Sequence, residues 1–461
     1  MSGSRNKTKW PYILLGTGAI TAGTLFTGRL LAGFAAKWVL TRLMTEPYEN
    51  NMWEAISAGA RITPQVIVET NMMAESGKKI IRPFGGPKNF PDFSKIMFNA
   101  AQLSTFPVDE DVNISTSVTI GPRARRPMCL EIPILVSGMA YGFALSEKAK
   151  LALAKGATRA GTATNSGYGP FLQSERDAAK HLILQYSRGD WSKKPEILKK
   201  ADAVEIQFGQ GAMAGIGTVL KGNKMDKKLT DLLDLKPGED AVLHARMPEM
   251  PSPDGLTGLV ADLKRITEGI PVGVKIAAGK DMENDLAYII NAGADFIVID
   301  GAQGGTAGSA PILQDDFGLP AIYALCRAVK YLEQQRVKNK ISLIIGGGLK
   351  TPGDYLKALA IGADAVNIGT IALWSVTHTQ VFKSLPYEPP VQVVYFSGQD
   401  KEKFDVEKGA RNLANYLISA VDEMKTATAA LGKKSFQAVN KSDLFALDRD
   451  TAEIAGIKLA W

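Results

Sequence analysis

A chain of 461 residues, 45% hydrophobic and 22% charged, has the composition of a folded protein and is too apolar to be a disordered one. Its formal net charge of +7 is not organised into Lys/Arg runs interleaved with aromatics, so no nucleic-acid partner is expected. Two isolated cysteines, Cys129 and Cys326, and three histidines, His181, His244 and His378, lack metal-ligand spacing, which argues against a thiolate cluster or a metal centre.

Residues 1–44 read as a membrane anchor. No residue from Trp10 to Gly28 is charged, while Arg5, Lys7 and Lys9 precede the stretch and Arg29, Lys37 and Arg42 follow it. As a helix it would reach about 28 Å, close to the hydrocarbon thickness of a bilayer. The expectation is a retained single-pass helix in the cell membrane, with the rest of the chain on the cytoplasmic side. A cleaved signal peptide ending near the small residues of LAGFAA is the alternative. The spacing of Ala19 and Gly23 would permit close helix packing, hence a homo-oligomer.

Residues 45–125 read as an irregular cap rich in Pro, Gly and Asn, as in RPFGGPKNFPDF (82–93). From 126 to 385 short apolar runs alternate with segments of helical period such as LSEKAKLALAKGATRA and LPAIYALCRAVKYLEQQ. Strands are predicted over 132–138, 161–165, 203–208, 241–245, 271–277, 296–300, 342–347 and 365–369. Eight strands alternating with helices predict an α/β fold, a (β/α)8 TIM barrel. Residues 386–461 predict a C-terminal helical extension, with a helix at 407–431, packed on the barrel.

Ligands of such barrels lie at the C-terminal ends of the strands, and four strand ends here are unusual. Gly347 and Gly348 end the seventh strand and Gly369-Thr370 the eighth, where the chain enters a helix directly. Glycine backbone and a helix N-terminus together suit a phosphate. Lys275 stands inside the apolar strand VGVKIAAG, where a buried ammonium needs a partner. It would stabilise negative charge on a reduced flavin ring; a Schiff-base lysine is the alternative. Asp300 leads into a turn containing Gly304 and Gly305, with room for a planar ring. At the first two strand ends, VSGMAYG offers Ser137, Gly138 and Met139, and NSGYG offers Asn165, which serves a ring or a turn equally well.

Taken in order, these stretches resemble the FMN-binding domain of the glutamate synthase family, above all its stand-alone relatives. The resemblance covers about residues 80 to 430 and rests on IGPRARRP, VSGMAYG, ALAKGATRAGTATNSGYG, ADAVEIQFGQGA, PVGVKIAAG, ADFIVIDGAQGGTAG and the pair GGGLKTPGD and GADAVNIGT. It implies FMN as cofactor. Ser137, Gly138, Met139, Asn165, Gln207, Lys275, Asp300, Gly304 and Gly305 would surround the ring, and Gly347, Gly348, Gly369 and Thr370 would hold the phosphate. Lys275 would tune the flavin, and Gln210, Tyr168 and Arg246 would position an imine or amino-acid-type substrate. The implied activity is that of an oxidoreductase on CH–NH2 donors, moving a hydride between FMN N5 and that substrate. Electrons would come from an external donor: a ferredoxin, NAD(P)H or a membrane component.

The chain also departs from the family pattern. The iron–sulfur cysteine motif that follows the last barrel strand is replaced by TIALWSVTHTQVFKSLP, which has no cysteine, and no amidotransferase with a nucleophilic cysteine is present. Tyr168 stands where the family carries a glutamate and Gln207 where it carries a lysine. The His-rich SPPPHHD loop of the 2-oxoglutarate site is replaced around ARMPEMPSPDG (245–255), and VSGMAYGFALS holds one extra residue. An alternative is therefore an FMN-containing electron-transfer or scaffold subunit of a membrane complex, without glutamate synthase activity. Oxidation of 2-hydroxy acids needs a histidine base after the sixth strand, and DGAQGG has none.

Overall fold

The computed structural model describes residue 28 and residues 30–385 and 390–461, and the chain divides into two compact units, 1–80 and 81–461. In the first unit residues 30–45 are helical, followed by helices Trp53–Ile62 and Pro64–Ser76, which occupy part of the stretch read as irregular. Thr63 caps the latter by accepting from the Val66 N–H, Pro64 pre-sets its first turn, and Gly77 ends it in the left-handed region.

The expected location in the cell membrane is corrected. Among the described residues no helix is long and apolar enough to cross a membrane. Where the described residues overlap the predicted anchor, the helical run 30–45 reaches only about 24 Å against a hydrocarbon core of about 30 Å and carries Lys37 and Arg42. The charge-free stretch on which the anchor rests lies, up to residue 27, outside the described residues.

The second unit holds the barrel. Its strands are β1 (Ile134–Val136), β2 (Ala163–Asn165), β3 (His181–Tyr186), β4 (Ala203–Gln207), β5 (Val272–Ala277), β6 (Phe296–Asp300), β7 (Ser342–Gly346) and β8 (Ala365–Ile368). All ladders are parallel, in the order β1-β8-β7-β6-β5-β4-β3-β2. The barrel is nearly closed. At the β1/β2 seam the Glu131 N–H donates to the Gly161 carbonyl (2.9 Å) and the Thr162 hydroxyl to the Ile134 carbonyl (2.7 Å).

The count of eight strands holds, but one member differs from expectation. HLILQY forms β3, whereas Ala241–Leu243 pairs antiparallel with Thr218–Leu220 in a hairpin outside the barrel. Burial explains the exchange. Val242 faces outward between two buried neighbours, as in a hairpin with one wet face. After His181, β3 is buried on both faces, as a parallel strand between two layers must be.

Alternate residues of each strand face the barrel axis. The inner set begins apolar: Leu135, Ala163, Ile183, Ala203, Phe296, Val298, Ile344 and Ala365 form one buried cluster. The antiparallel hairpin Val118–Ile120/Met128–Leu130 adds Val118, Ile120, Met128 and Leu130 and plugs that end. Two residues further along, the inner set turns polar: Asn165, Gln185, Glu205, Lys275, Asp300 and Asn367, all buried. The outward set, such as Ile134, Leu184, Val274, Ile299 and Ile345, packs into the larger core formed with the helices.

The helix expected at 407–431 is Val406–Ala430. It crosses helix Glu147–Arg159 so closely that a Cβ on Gly156 would lie 2.8 Å from the Leu413 side chain.

Candidate active site

The polar inner layer floors a cavity of about 350 Å3 at the C-terminal ends of the strands, where barrels of this kind hold their ligands. At its centre Lys275 is 1% exposed, with Nζ 3.3 Å from Asp300 Oδ2. Burial pulls the ammonium's pKa down, but attraction to Asp300 and then Glu205 outweighs it, and the net direction is up. The ammonium is therefore charged at neutral pH. Asp300 Oδ2 also accepts from the Gly211 N–H (3.3 Å), and Glu205 Oε1 accepts from Asn165 Nδ2 (3.1 Å) and Gln185 Nε2 (2.6 Å). Gly346 is needed beside this network, because a Cβ there would fall 2.6 Å from Asp300 Oδ1.

The rim over β7 and β8 is built from glycine backbone. Gly347 (φ 101°) and Gly348 (φ 74°) take conformations that L side chains rarely adopt. Helix Thr370–Thr377 starts directly after β8 with Gly369 as its N-cap, and Gly369, Thr370 and Ile371 line the cavity. The first turn of a helix carries N–H groups without intrahelical partners and the positive end of its dipole. Gly305 comes against this turn, where a Cβ would sit 2.7 Å from Thr370 Oγ1.

The opposite side is made by the ends of β2 and β4. Tyr168 is buried, its carbonyl accepts from Trp191 Nε1 (2.7 Å), and Phe143 meets its ring edge-on at 5.5 Å. Burial pushes its phenol up to about 12. Gln210 is 7% exposed; its Nε2 lies 3.4 Å from Met213 Sδ and its Oε1 has no partner among the described residues. It sits in a turn in which Ala212 (φ 62°) and Ala214 (φ 50°) are both left-handed, a strain that persists only where surroundings enforce it. Buried Arg188 supplies part of that enforcement, donating to the carbonyls of Gly215, Ile216 and Ala245.

Of the residues singled out from sequence, Ser137, Gly138, Met139, Tyr168, Gln210, Lys275, Asp300, Gly304, Gly305, Gly347, Gly348, Gly369 and Thr370 line the cavity. Asn165 and Gln207 do not. Asn165 lies beneath Gly138, whose Cβ would meet its Oδ1 at 2.7 Å, and Gln207 stands beside Lys275 in the β4/β5 register. Arg246 is exposed and lies outside the lining. Sequence reasoning missed Asn367, although its place in AVNIG, two residues after the inward Ala365, was a usable signal. It also missed Phe84, Trp374 and Tyr395, which reach the cavity mouth from segments outside the strand ends.

Fold and site together define a parallel β/α barrel with a charged, polar floor and a glycine-built rim at its C-terminal face. The chain belongs to the glutamate synthase family: a profile described as "Conserved region in glutamate synthase" matches residues 92–434. It is thus a glutamate-synthase-like oxidoreductase. A glutamate synthase large subunit-like protein of Rhizobium meliloti (strain 1021) is 33% identical over 413 residues, covering 86% of this chain and 93% of its own. An archaeal glutamate synthase (NADPH) of Methanocaldococcus jannaschii is 30% identical over 426 residues, covering 85% and 83%. Among solved structures, that of the monotopic membrane protein (S)-mandelate dehydrogenase covers 78% of this chain and 92% of its own at 16% identity and a TM-score of 0.50, a likeness of fold alone.

Proposed function

We propose that the cavity holds FMN and that the protein is an FMN-dependent oxidoreductase acting between an imine and an amine of the amino-acid type. One juxtaposition carries this reading: a buried, charged lysine from β5 in the same cavity as a glycine rim and helix N-terminus from β7 and β8. The residues fit the group. The rim suits the phosphate, and Gly304 and Gly305 leave space where side chains would block a planar ring. The Lys275 ammonium answers the negative charge that reduction places on the pyrimidine side.

Bound and reduced, FMN would supply hydride chemistry at N5 for reduction of an imine carbon, with the accompanying proton drawn from solvent. Lys275, paired with Asp300 and attracted by Glu205, would offer a fixed positive charge to the reduced ring. Ser137, Gly138 and Met139 would offer backbone to the ring, with Asn165 beneath Gly138 and Gln207 beside Lys275 supporting them. Gln210 presents an amide and Tyr168 a neutral phenol to the substrate. The archaeal and archaeal-type relatives carry NADPH in their names, which makes NADPH the first electron donor to test, with reduced ferredoxin the second.

An anaerobic spectral titration of the purified full chain tests the reading. The expected result is a flavin spectrum that bleaches with a donor and returns on adding an oxo acid with ammonium. Protein that stays colourless after incubation with FMN would sink the proposal. Flavin that bleaches with a donor but is reoxidised by no oxo acid with ammonium, and reduced by no amino acid, would favour an electron-transfer or scaffold subunit instead.

A further inference from the structure

Behind the β2 end of the cavity lies a buried ion pair that the proposed chemistry leaves unused. Lys150 stands on helix Glu147–Arg159 and Glu175 on helix Gln173–Ala178. Each is 1% exposed, neither lines the cavity, and Lys150 Nζ lies 2.8 Å from Glu175 Oε1. The same ammonium donates to the Asn165 carbonyl (2.8 Å) and the Ser166 carbonyl (3.2 Å). Its three N–H groups thus join two helices to the turn that leaves β2. Burial raises the Glu175 carboxyl above its ordinary value in spite of Lys150. Apolar residues of similar volume commonly replace such buried pairs without loss of stability. What they cannot replace is the hold on two backbone carbonyls.

The turn that Lys150 grips packs without slack against the first strand end. A Cβ on Gly167 (φ 68°) would lie 2.5 Å from the Ala140 nitrogen and 2.6 Å from the Met139 carbonyl carbon. One on Gly169 would lie 2.5 Å from the Tyr141 carbonyl oxygen. Within the turn, Asn165 Oδ1 accepts from the Gly167 N–H (2.9 Å) and Ser166 Oγ from the Gln185 N–H (2.9 Å). Gly138, Met139, Ala140 and Tyr168 all line the cavity. In contact this close, a shift of the turn carries Tyr168 with it and releases the 138–140 backbone.

We propose that Lys150 is a positioning residue for the flavin: by fixing the Asn165 and Ser166 carbonyls it sets the turn that backs the 138–140 backbone, without touching the ligand. This rests on the FMN reading of the cavity. Lys150→Met alone strands a buried carboxyl and destabilises the chain whatever the turn does, so the deciding variant replaces the whole pair, Lys150→Met with Glu175→Leu. Its urea midpoint is expected to stay near the wild-type value, while FMN affinity, read by fluorescence quenching, falls about 10-fold or more. Glu175→Gln keeps Lys150 on both carbonyls and is expected to hold FMN within about 2-fold of wild type. Hydrogen–deuterium exchange over residues 163–172, measured without flavin, should speed up in the double variant and not in Glu175→Gln. A folded double variant that keeps wild-type affinity, or a Glu175→Gln variant that loses as much as the double, overturns the proposal. So does a double variant that does not fold, because the pair would then hold the chain together and not the turn. Wild-type protein that takes up no FMN defeats the flavin reading instead, and exchange over 163–172 then decides this one.

Discussion

The two halves of the barrel interior are built from the same strands and differ by two residues along each. Ala163 and Asn165, Ile183 and Gln185, Ala203 and Glu205, Val298 and Asp300, and Ala365 and Asn367 are successive inward positions of β2, β3, β4, β6 and β8. The lower member packs dry against the 118–130 hairpin; the upper member joins the charged floor under the cavity. One half is therefore stabilised by apolar burial, and the other is a set of buried charges stable only because they neutralise one another. The comparison separates what holds the fold from what the fold holds in place.

The largest effects test that separation. Lys275→Met leaves Asp300 and Glu205 buried without their cation, which costs about 3–5 kcal/mol of unfolding free energy and removes flavin reduction. Urea unfolding and an anaerobic donor titration read the two losses, and adding Asp300→Asn restores part of the first but none of the second. In the lower half, Phe296→Ala also costs about 3–5 kcal/mol, because its ring fills the space left by Gly273, whose Cβ would lie 2.4 Å from it. FMN affinity of the folded fraction, measured by fluorescence quenching, is expected to stay within about 2-fold. A Phe296 variant that loses flavin as completely as Lys275→Met would break the division between the halves. Next in size, Gly348→Ala forces a side chain into a left-handed backbone with Gln303 Cβ 2.4 Å away. FMN affinity is expected to fall about 100-fold, or about 2.7 kcal/mol, with a smaller change in the urea midpoint.

The division is partly legible in the amino-acid sequence. Lys275 and Asp300 are charged residues inside apolar runs, and Gly347, Gly348 and Gly369 are strand ends without side chains to fill a rim, so local sequence announces them. Seven of the eight barrel strands carry the same local signal. HLILQY and AVLHA are both short apolar runs, and only the non-local fact of burial on one face or two tells the barrel strand from the hairpin strand. Phe84 and Tyr395 carry no local mark at all. They reach the site through pairings such as Arg82 with Ser309 and Leu145 with Tyr395, which depend on contacts between residues about half the chain apart. The expected membrane helix shows the opposite failing, since a charge-free stretch meets a length criterion without saying what the chain does with it.

The smallest effect at neutral pH is the one confined to alkaline solution, and it asks how dry the substrate side is. Burial raises the Tyr168 phenol from an ordinary value near 10 to about 12. The folded protein then holds this proton more tightly than the unfolded chain does. Its contribution to stability is complete below about pH 10 and is lost as the pH rises toward 12, roughly 2–3 kcal/mol over that window. The buried phenols of Tyr355 and Tyr395 are raised in the same direction, so the wild-type curve alone does not isolate Tyr168. The difference between wild type and Tyr168→Phe does, because the variant keeps the ring and removes only the titrating hydroxyl. Stability followed by urea unfolding from pH 9 to 12 should fall less steeply in the variant by that amount, with the two curves parallel below about pH 10. Parallel curves throughout would mean that water reaches the phenol, and the substrate side would then be as wet as the rim.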